Sequence, residues 1–246
     1  MQILPFTLTE FNRVEERVVS YFQNKVVVVI GATGALGTLS VRSLRAAGAD
    51  VRLIVRTPQR LVPDLADLPL AVASIADRSA LEMAFRDVTS NVAVDGILNC
   101  AGVVAFGAFS ELSDDVAHEL FLTNAVGTIN SIALAAVGVR PDGFLASFTG
   151  VAGDMTIAGM GAYCASKAAA KSAMAVAGRE LRSKKVRVVD IRVGHTETGL
   201  VNRSLEGAAP KMPVGLEPQR VVDRVLAAIE SGDKDLPPES FGVLSE

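Results

Sequence analysis

The sequence predicts an α/β fold, a doubly wound parallel sheet with helices on both faces. Three observations carry the expectation. From residue 25 onward, short β-branched or apolar runs alternate with longer stretches of helical period. The first run, "KVVVVIG" at 25–31, is continuously apolar, as a strand buried on both faces requires. It then passes through a glycine-rich turn directly into a helical stretch.

In chain order, Thr7 and Glu10 fit a capping box, and Leu8, Phe11, Glu15/Val18 and Phe22 follow a mostly apolar helical stripe. A helix is expected at about 7–22, within an N-terminal extension covering 1–24. Residues 25–246 form the single main domain. After the strand at 25–31 comes a helix at 35–48, ended by Gly48. Strands follow at 50–55 and 70–73, then a helix at 77–89 that Asp77 can cap. A fourth strand at 94–102 runs into a glycine turn, and a long helix covers 113–136. A strand at 143–150 leads to a helix at 159–182, and a sixth strand covers 186–194. A helix at 217–231 and a weak strand in "ESFGVL" close the chain. Alternation of this kind implies βαβ units. The one long irregular stretch, 195–215, has the length of a functional loop.

Composition narrows the chemistry. The chain has 246 residues, half of them hydrophobic, and a net charge of −3, which gives no electrostatic case for nucleic acid or an anionic membrane. Cys100 and Cys164 lack metal or redox spacing, and two histidines do not make a His-rich metal site. No apolar run is long enough to cross a bilayer, and the acidic N-terminus does not resemble a signal peptide. A cytoplasmic protein is expected.

The segment "GATGALG" follows a strand and opens a helix, the context of a dinucleotide-binding turn. Gly31 permits the tight turn. Gly34 and Gly37 permit close backbone approach, and the amides of the turn around Thr33, Ala35 and Leu36 face a pyrophosphate. At the end of the second strand no acid is present to bond a ribose 2′-hydroxyl. Arg56 stands there, with Arg60 one turn further on, and a guanidinium suits a 2′-phosphate. NADP is therefore favoured over NAD. Small residues in "NCAG" (99–102) let the chain pass close to a cofactor.

Tyr163 and Lys167 lie four apart and share a helix face. A free phenol has a pKa of about 10, and a neighbouring ammonium favours its ionised form. The pair can therefore move a proton to or from a carbonyl oxygen.

These motifs, with Asn124 in "FLTNAVGT" and "RVGHTETGL" after the sixth strand, resemble the short-chain dehydrogenase/reductase family from about residue 25 to the C-terminus. The resemblance implies a Rossmann-like sheet of seven strands, a nicotinamide cofactor and a carbonyl or alcohol substrate. It makes Tyr163 the general acid/base and gives Lys167 the nicotinamide ribose. It gives Asn124 a water in the proton relay. Asn99, Ala101 and Gly102 would line the cofactor, Ile75 would flank the adenine through its backbone, and Gly194 and Thr196 would meet the carboxamide or pyrophosphate side. It also implies a homodimer or homotetramer, for which the small residues of "ASKAAAKSAMAVAG" permit close helix approach.

The pattern breaks at one position. The family places a serine thirteen residues before the tyrosine, and here that residue is Gly150. Thr149 is the candidate replacement, although alternation along a strand points it away from Gly150's direction unless the strand end kinks. A second reading follows: a fold that keeps its dinucleotide with weak or no redox activity, or that performs non-redox chemistry. The 195–215 loop is expected to act as a lid, with Val201, Leu205 and Met212 facing a partly apolar substrate.

Overall fold

The computed structural model describes residues 20–90 and 92–242. Seven strands form one sheet: β1 (Val26–Ile30), β2 (Asp50–Val55), β3 (Leu70–Val72), β4 (Val94–Asn99), β5 (Val139–Phe148), β6 (Arg187–Ile191) and β7 (Asp235–Leu236). Their order is β3-β2-β1-β4-β5-β6-β7, and every pairing is parallel. Six α-helices connect them: α1 (Ala35–Ala46), α2 (Arg78–Thr89), α3 (Asp114–Leu120), α4 (Gly127–Gly138), α5 (Gly161–Glu180) and α6 (Pro218–Ser231). The expected Rossmann-like fold is the observed one.

Alternate residues of each strand enter different cores. Val27 and Val29 of β1 pack with Val41 and Leu44 of α1 and Val225 and Ile229 of α6. Val28 and Ile30 pack on the other face with Leu81 and Phe85 of α2, Leu134 of α4 and Met174 of α5. The unbroken "VVVVI" run is thus explained: both faces of β1 are covered.

Local chemistry sets the ends of several elements. The Asp77 side chain accepts from the Ala80 amide and caps α2, as expected. Glu217 caps α6 through the amides of Gln219 and Arg220, and Pro218 opens that helix.

Two expectations need correction, and a third falls largely outside the described residues. The helix expected at 113–136 is interrupted by a π-helical segment, Phe121–Val126, between α3 and α4. No proline or glycine kink marks it in sequence, because a π segment arises from a shifted hydrogen-bond ladder. Among the described residues the last strand is β7, and the described part of "ESFGVL" is not a strand; Pro237 and Pro238 stop β7, and Pro238–Phe241 makes a 3₁₀ turn. The helix expected at 7–22 lies outside the described residues except for its last three positions. There Tyr21 and Phe22 enter a turn, and Phe22, 3% exposed, packs edge-on against Phe144 with ring centroids 6.4 Å apart. The core thus begins before residue 25.

The continuous helical stretch Asp114–Gly138 has the length and apolarity of a membrane-crossing helix, and more than half of its most apolar window is buried within the fold. Its inner face, including Leu134 and Ala135, lies against the sheet.

The chain moves outward from β1 to β3 and returns to β4 on the other side of β1. A crevice opens where strand order reverses, beyond the carboxyl ends of β1 and β4. β4 and β5 are held together below this crevice by Gly96, where an added Cβ would overlap the ring of fully buried Phe144. Gly96→Ala is expected to lower stability by about 1–3 kcal/mol. Urea unfolding checks this, and an unchanged midpoint would contradict the packing described.

Candidate active site

The turn after β1 is built by backbone contact. Gly31 has φ +84° and accepts a partner strand closely: a Cβ there would sit 2.8 Å from the Ala101 amide nitrogen. At Gly37 a Cβ would collide with the Gly31 carbonyl. Gly34 differs, since its nearest neighbour would lie at an ordinary 3.5 Å. Gly34 is the N-cap of α1, without a side-chain cap, and no acid occupies the first turn. The helix start therefore keeps backbone donors, and no charge there opposes an anion. Thr33, Ala35 and Leu36 are half-buried on the same turn.

Across the crevice, Asn99 is 1% exposed and braces the end of β4. Its Nδ2 donates to Ser147 Oγ (3.1 Å), and its Oδ1 accepts from the Ala101 amide (3.0 Å). Asn99 shapes the wall from beneath, leaving Ala101 and Gly102 half-buried at the surface. A Cβ at Gly102 would lie 3.4 Å from Lys167 Nζ and 3.5 Å from Asn124 Oδ1. This single position brings three of the expected site residues together.

Asn124 sits in the π-helical segment, and its side chain is fully engaged. Nδ2 donates to the Val103 carbonyl (2.9 Å) and Ser166 Oγ (3.0 Å), while Oδ1 accepts from the Val103 amide (3.0 Å). Its carbonyl accepts from Thr128 Oγ1 at 2.7 Å. Asn124 thus joins the wall at 102–104 to α5. Ser166 completes the joint by donating to the Tyr163 carbonyl. Sequence reasoning missed Ser166; its place three residues after Tyr163 on a helix face was the available signal.

Lys167 is 7% exposed and donates to the Phe148 carbonyl at 3.0 Å. Burial pulls its ammonium down to about 8, opposed by the charge of Asp190. Tyr163 lies one turn earlier on α5, and burial pushes its phenol up to about 12. The expected depression of the phenol is therefore not found here. The ammonium is turned onto backbone, and desolvation dominates the phenol. The ring belongs to an apolar cluster with Val104, Phe106, Ala152, Ile157, Met160, Leu200 and Val201.

Thr149 makes its contacts away from Tyr163. It is 1% exposed, and its Oγ1 donates to Asp190 Oδ1 at 2.5 Å, with a longer contact to the Ile191 carbonyl. Its hydroxyl is thus turned toward β6. Gly150 has φ +78° and ψ 156°, a conformation essentially confined to glycine, although a Cβ there would meet only the Val193 carbonyl at an ordinary 3.8 Å. Asp190 itself is pushed up to about 6 by burial, against the Thr149 hydrogen bond.

Among the remaining expected residues, Ile75 packs its side chain against Gly127 on α4, and its carbonyl accepts from Asn130 Nδ2 (2.9 Å). Thr196 closes its own turn by donating to the Gly194 carbonyl (3.0 Å). Arg56, exposed at the end of β2, is paired with Glu119. Cys100 is pushed up to about 12 by burial, consistent with an inert thiol.

The 195–215 loop lies across the segment 104–113. Leu205 donates its amide to the Val104 carbonyl, and Phe106 donates to the Glu206 carbonyl (2.9 Å each). Ser113 donates its amide and hydroxyl to Glu206 Oε2. Val201 packs against the same cluster as Tyr163, whereas Leu205 is 38% exposed and Met212 lies outside the cluster. A concavity of about 480 Å³ elsewhere, between α5 and the β6–β7 edge, includes Lys171, Arg182 and Asp190 but neither Tyr163 nor Lys167.

Comparison with known proteins agrees with this geometry. The short chain dehydrogenase family model matches residues 25–208. The bovine dehydrogenase/reductase SDR family member 7B is 27% identical over 243 residues, covering 89% of this chain and 75% of that protein. The 2,3-dihydro-2,3-dihydroxybenzoate dehydrogenase of Bacillus subtilis is 26% identical, covering 72% of each chain. A short chain dehydrogenase from Burkholderia cenocepacia, solved in complex with NADP, superposes with a TM-score of 0.73 at 24% identity, over 88% of this chain and 89% of that one. With its parallel sheet, its glycine turn and its Tyr163–Lys167 pair beside Asn124, the chain belongs to the short chain dehydrogenase family.

Proposed function

We propose that this protein is an NADP-dependent oxidoreductase acting on a carbonyl or alcohol, with Tyr163 as general acid/base. The observation that carries the reading is the meeting of Lys167 and Asn124 at Gly102, one helical turn from Tyr163, across a crevice from the uncapped start of α1. The NADP complex of the Burkholderia cenocepacia relative supports the choice of cofactor.

The residues present fit such a cofactor. Amides of Thr33, Ala35, Leu36 and Gly37 would hold the pyrophosphate, and Arg56 the 2′-phosphate, while Gly31 and Gly34, whose amides donate to the Ile54 and Gly31 carbonyls, would shape the turn. Ile75, Ala101 and Gly102 would border the adenosine and ribose, Tyr163 and Lys167 the nicotinamide ribose, and Gly194 and Thr196 the carboxamide side. When bound, the nicotinamide supplies or accepts the hydride. Tyr163 moves the matching proton at the substrate oxygen. A phenol pushed up to about 12 remains protonated at neutral pH, the form that donates to a carbonyl being reduced. Lys167 offsets the charge that then develops on the phenolate, and Asn124 fixes the wall that aligns them. Phe106, Met160, Leu200 and Val201 exclude water and favour an apolar substrate.

Two further parts of the reading have support. Phe121, Leu122, Val126 and Ile129 are large apolar residues left partly exposed along one helical stretch, which supports a homodimer or homotetramer. Two unpaired thiols suit a reducing, cytoplasmic setting.

One observation favours a second reading. With Gly150 bare and Thr149 turned to Asp190, neither position offers a hydroxyl to the substrate beside Tyr163. Loss of one such donor costs about 10²–10³ in rate, so redox turnover would be slow, or the dinucleotide would be bound without it.

Calorimetric titration with NADPH followed by an apolar aldehyde and ketone panel tests both. Tyr163→Phe is expected to weaken cofactor binding by no more than about tenfold and to lower turnover by about 10²–10⁴. Tight binding without turnover, unchanged by Tyr163→Phe, would favour the second reading. Thr149→Val is expected to lower the melting temperature and leave turnover within about threefold; a larger loss of turnover would return Thr149 to the reaction. Asp190 holds its proton more firmly folded than unfolded, so its stabilising contribution is complete at low pH and is lost as pH rises through about 6. Asp190→Asn should therefore gain stability relative to the unsubstituted protein between pH 4.5 and pH 7.5 (about three units of pH) in paired urea titrations, and a constant difference would refute this.

A further inference from the structure

The end of β2 carries no acid, but the fold brings one there from 63 positions further along the chain. Arg56 Nη1 donates to Glu119 Oε1 at 2.6 Å. Glu119 lies in the last turn of α3, and Thr123 in the π-helical segment donates its Oγ1 to the same oxygen at 3.0 Å. The carboxylate is thus held toward the arginine from its own helix. Both side chains keep solvent access, 55% for Arg56 and 32% for Glu119.

We infer that Glu119 is a specificity-determining residue that sets the preference between phosphorylated and unphosphorylated nicotinamide dinucleotides. The inference rests on the cofactor reading above. Arg56 favours a 2′-phosphate, which it can grip with paired hydrogen bonds. Glu119 acts in the opposite sense. It competes for the guanidinium, repels a phosphate placed beside it, and can accept a hydrogen bond from a ribose 2′-hydroxyl. Preference is then a difference between two terms, set by a pair that sequence position alone does not join. Thr123 is a positioning residue, since it restrains the carboxylate without facing the ligand itself.

The test is calorimetric titration of the full chain with NADPH and with NADH. Glu119→Gln is expected to raise the NADPH-to-NADH affinity ratio about tenfold, through tighter NADPH binding. Arg56→Met should lower the same ratio by about tenfold or more, and Thr123→Val should raise it by about threefold. Melting temperatures measured in parallel separate these effects from folding, because a purely structural role would alter both affinities together. Binding of both dinucleotides by the unsubstituted protein, with a ratio unmoved by Glu119→Gln, overturns the role of Glu119 and leaves the cofactor reading standing. Binding of neither dinucleotide overturns both.

Discussion

The buried ammonium of Lys167 organises the candidate site. An ammonium nearly removed from water must find acceptors, and the one it finds is the carbonyl of Phe148 at the last residue of β5. That bond fixes the height of α5 over the sheet and so places Tyr163, one turn earlier. β5 ends at that residue, and the chain turns away beyond it. Gly150 makes that turn in a conformation that other residues resist. Gly153 belongs to the same arrangement, since a Cβ there would press to 2.9 Å from the Lys167 carbonyl.

Polar groups behind the site form a continuous support. Thr149 is bound to Asp190, Asp190 lies beside Arg192, and Arg192 pairs with Asp154 and Asp235. Lys171, one turn beyond Lys167 on α5, pairs with the same Asp154. The carboxylates and cations of this chain alternate, which limits the cost of placing several charges near an apolar core. The ring of Tyr163 faces the other way, among Phe106, Met160 and Leu200. One end of α5 therefore separates an ionic support from an apolar chamber.

Much of this was legible in the sequence. Strand and helix positions followed from period and run length, and β2 was placed residue for residue because Gly48 and Arg56 bound its apolar run. The turn at 31–37 was readable because glycine spacing reports steric necessity, which Gly31 and Gly37 confirm and Gly34 does not need. What was not legible depended on distant partners. The direction of the Thr149 hydroxyl is decided by Asp190, 41 residues away. The state of the Tyr163 phenol depends on burial by Met160 and the 195–215 loop, which no i, i+4 spacing records. The π-helical segment carries no residue signature, yet it sets the rotation of Asn124.

Glu206 links features at opposite ends of the crevice. Its carboxylate receives both donors of Ser113, the N-cap residue of α3, while its carbonyl receives the Phe106 amide. α3 has seven residues, a rod about 10 Å long. The loop over the apolar chamber grips one end of that rod, and Glu119 stands in the turn at the other. Lifting the loop would unfasten the rod's beginning, so in the proposed reading the admission of a substrate and the hold on the dinucleotide's far ribose would share one short lever.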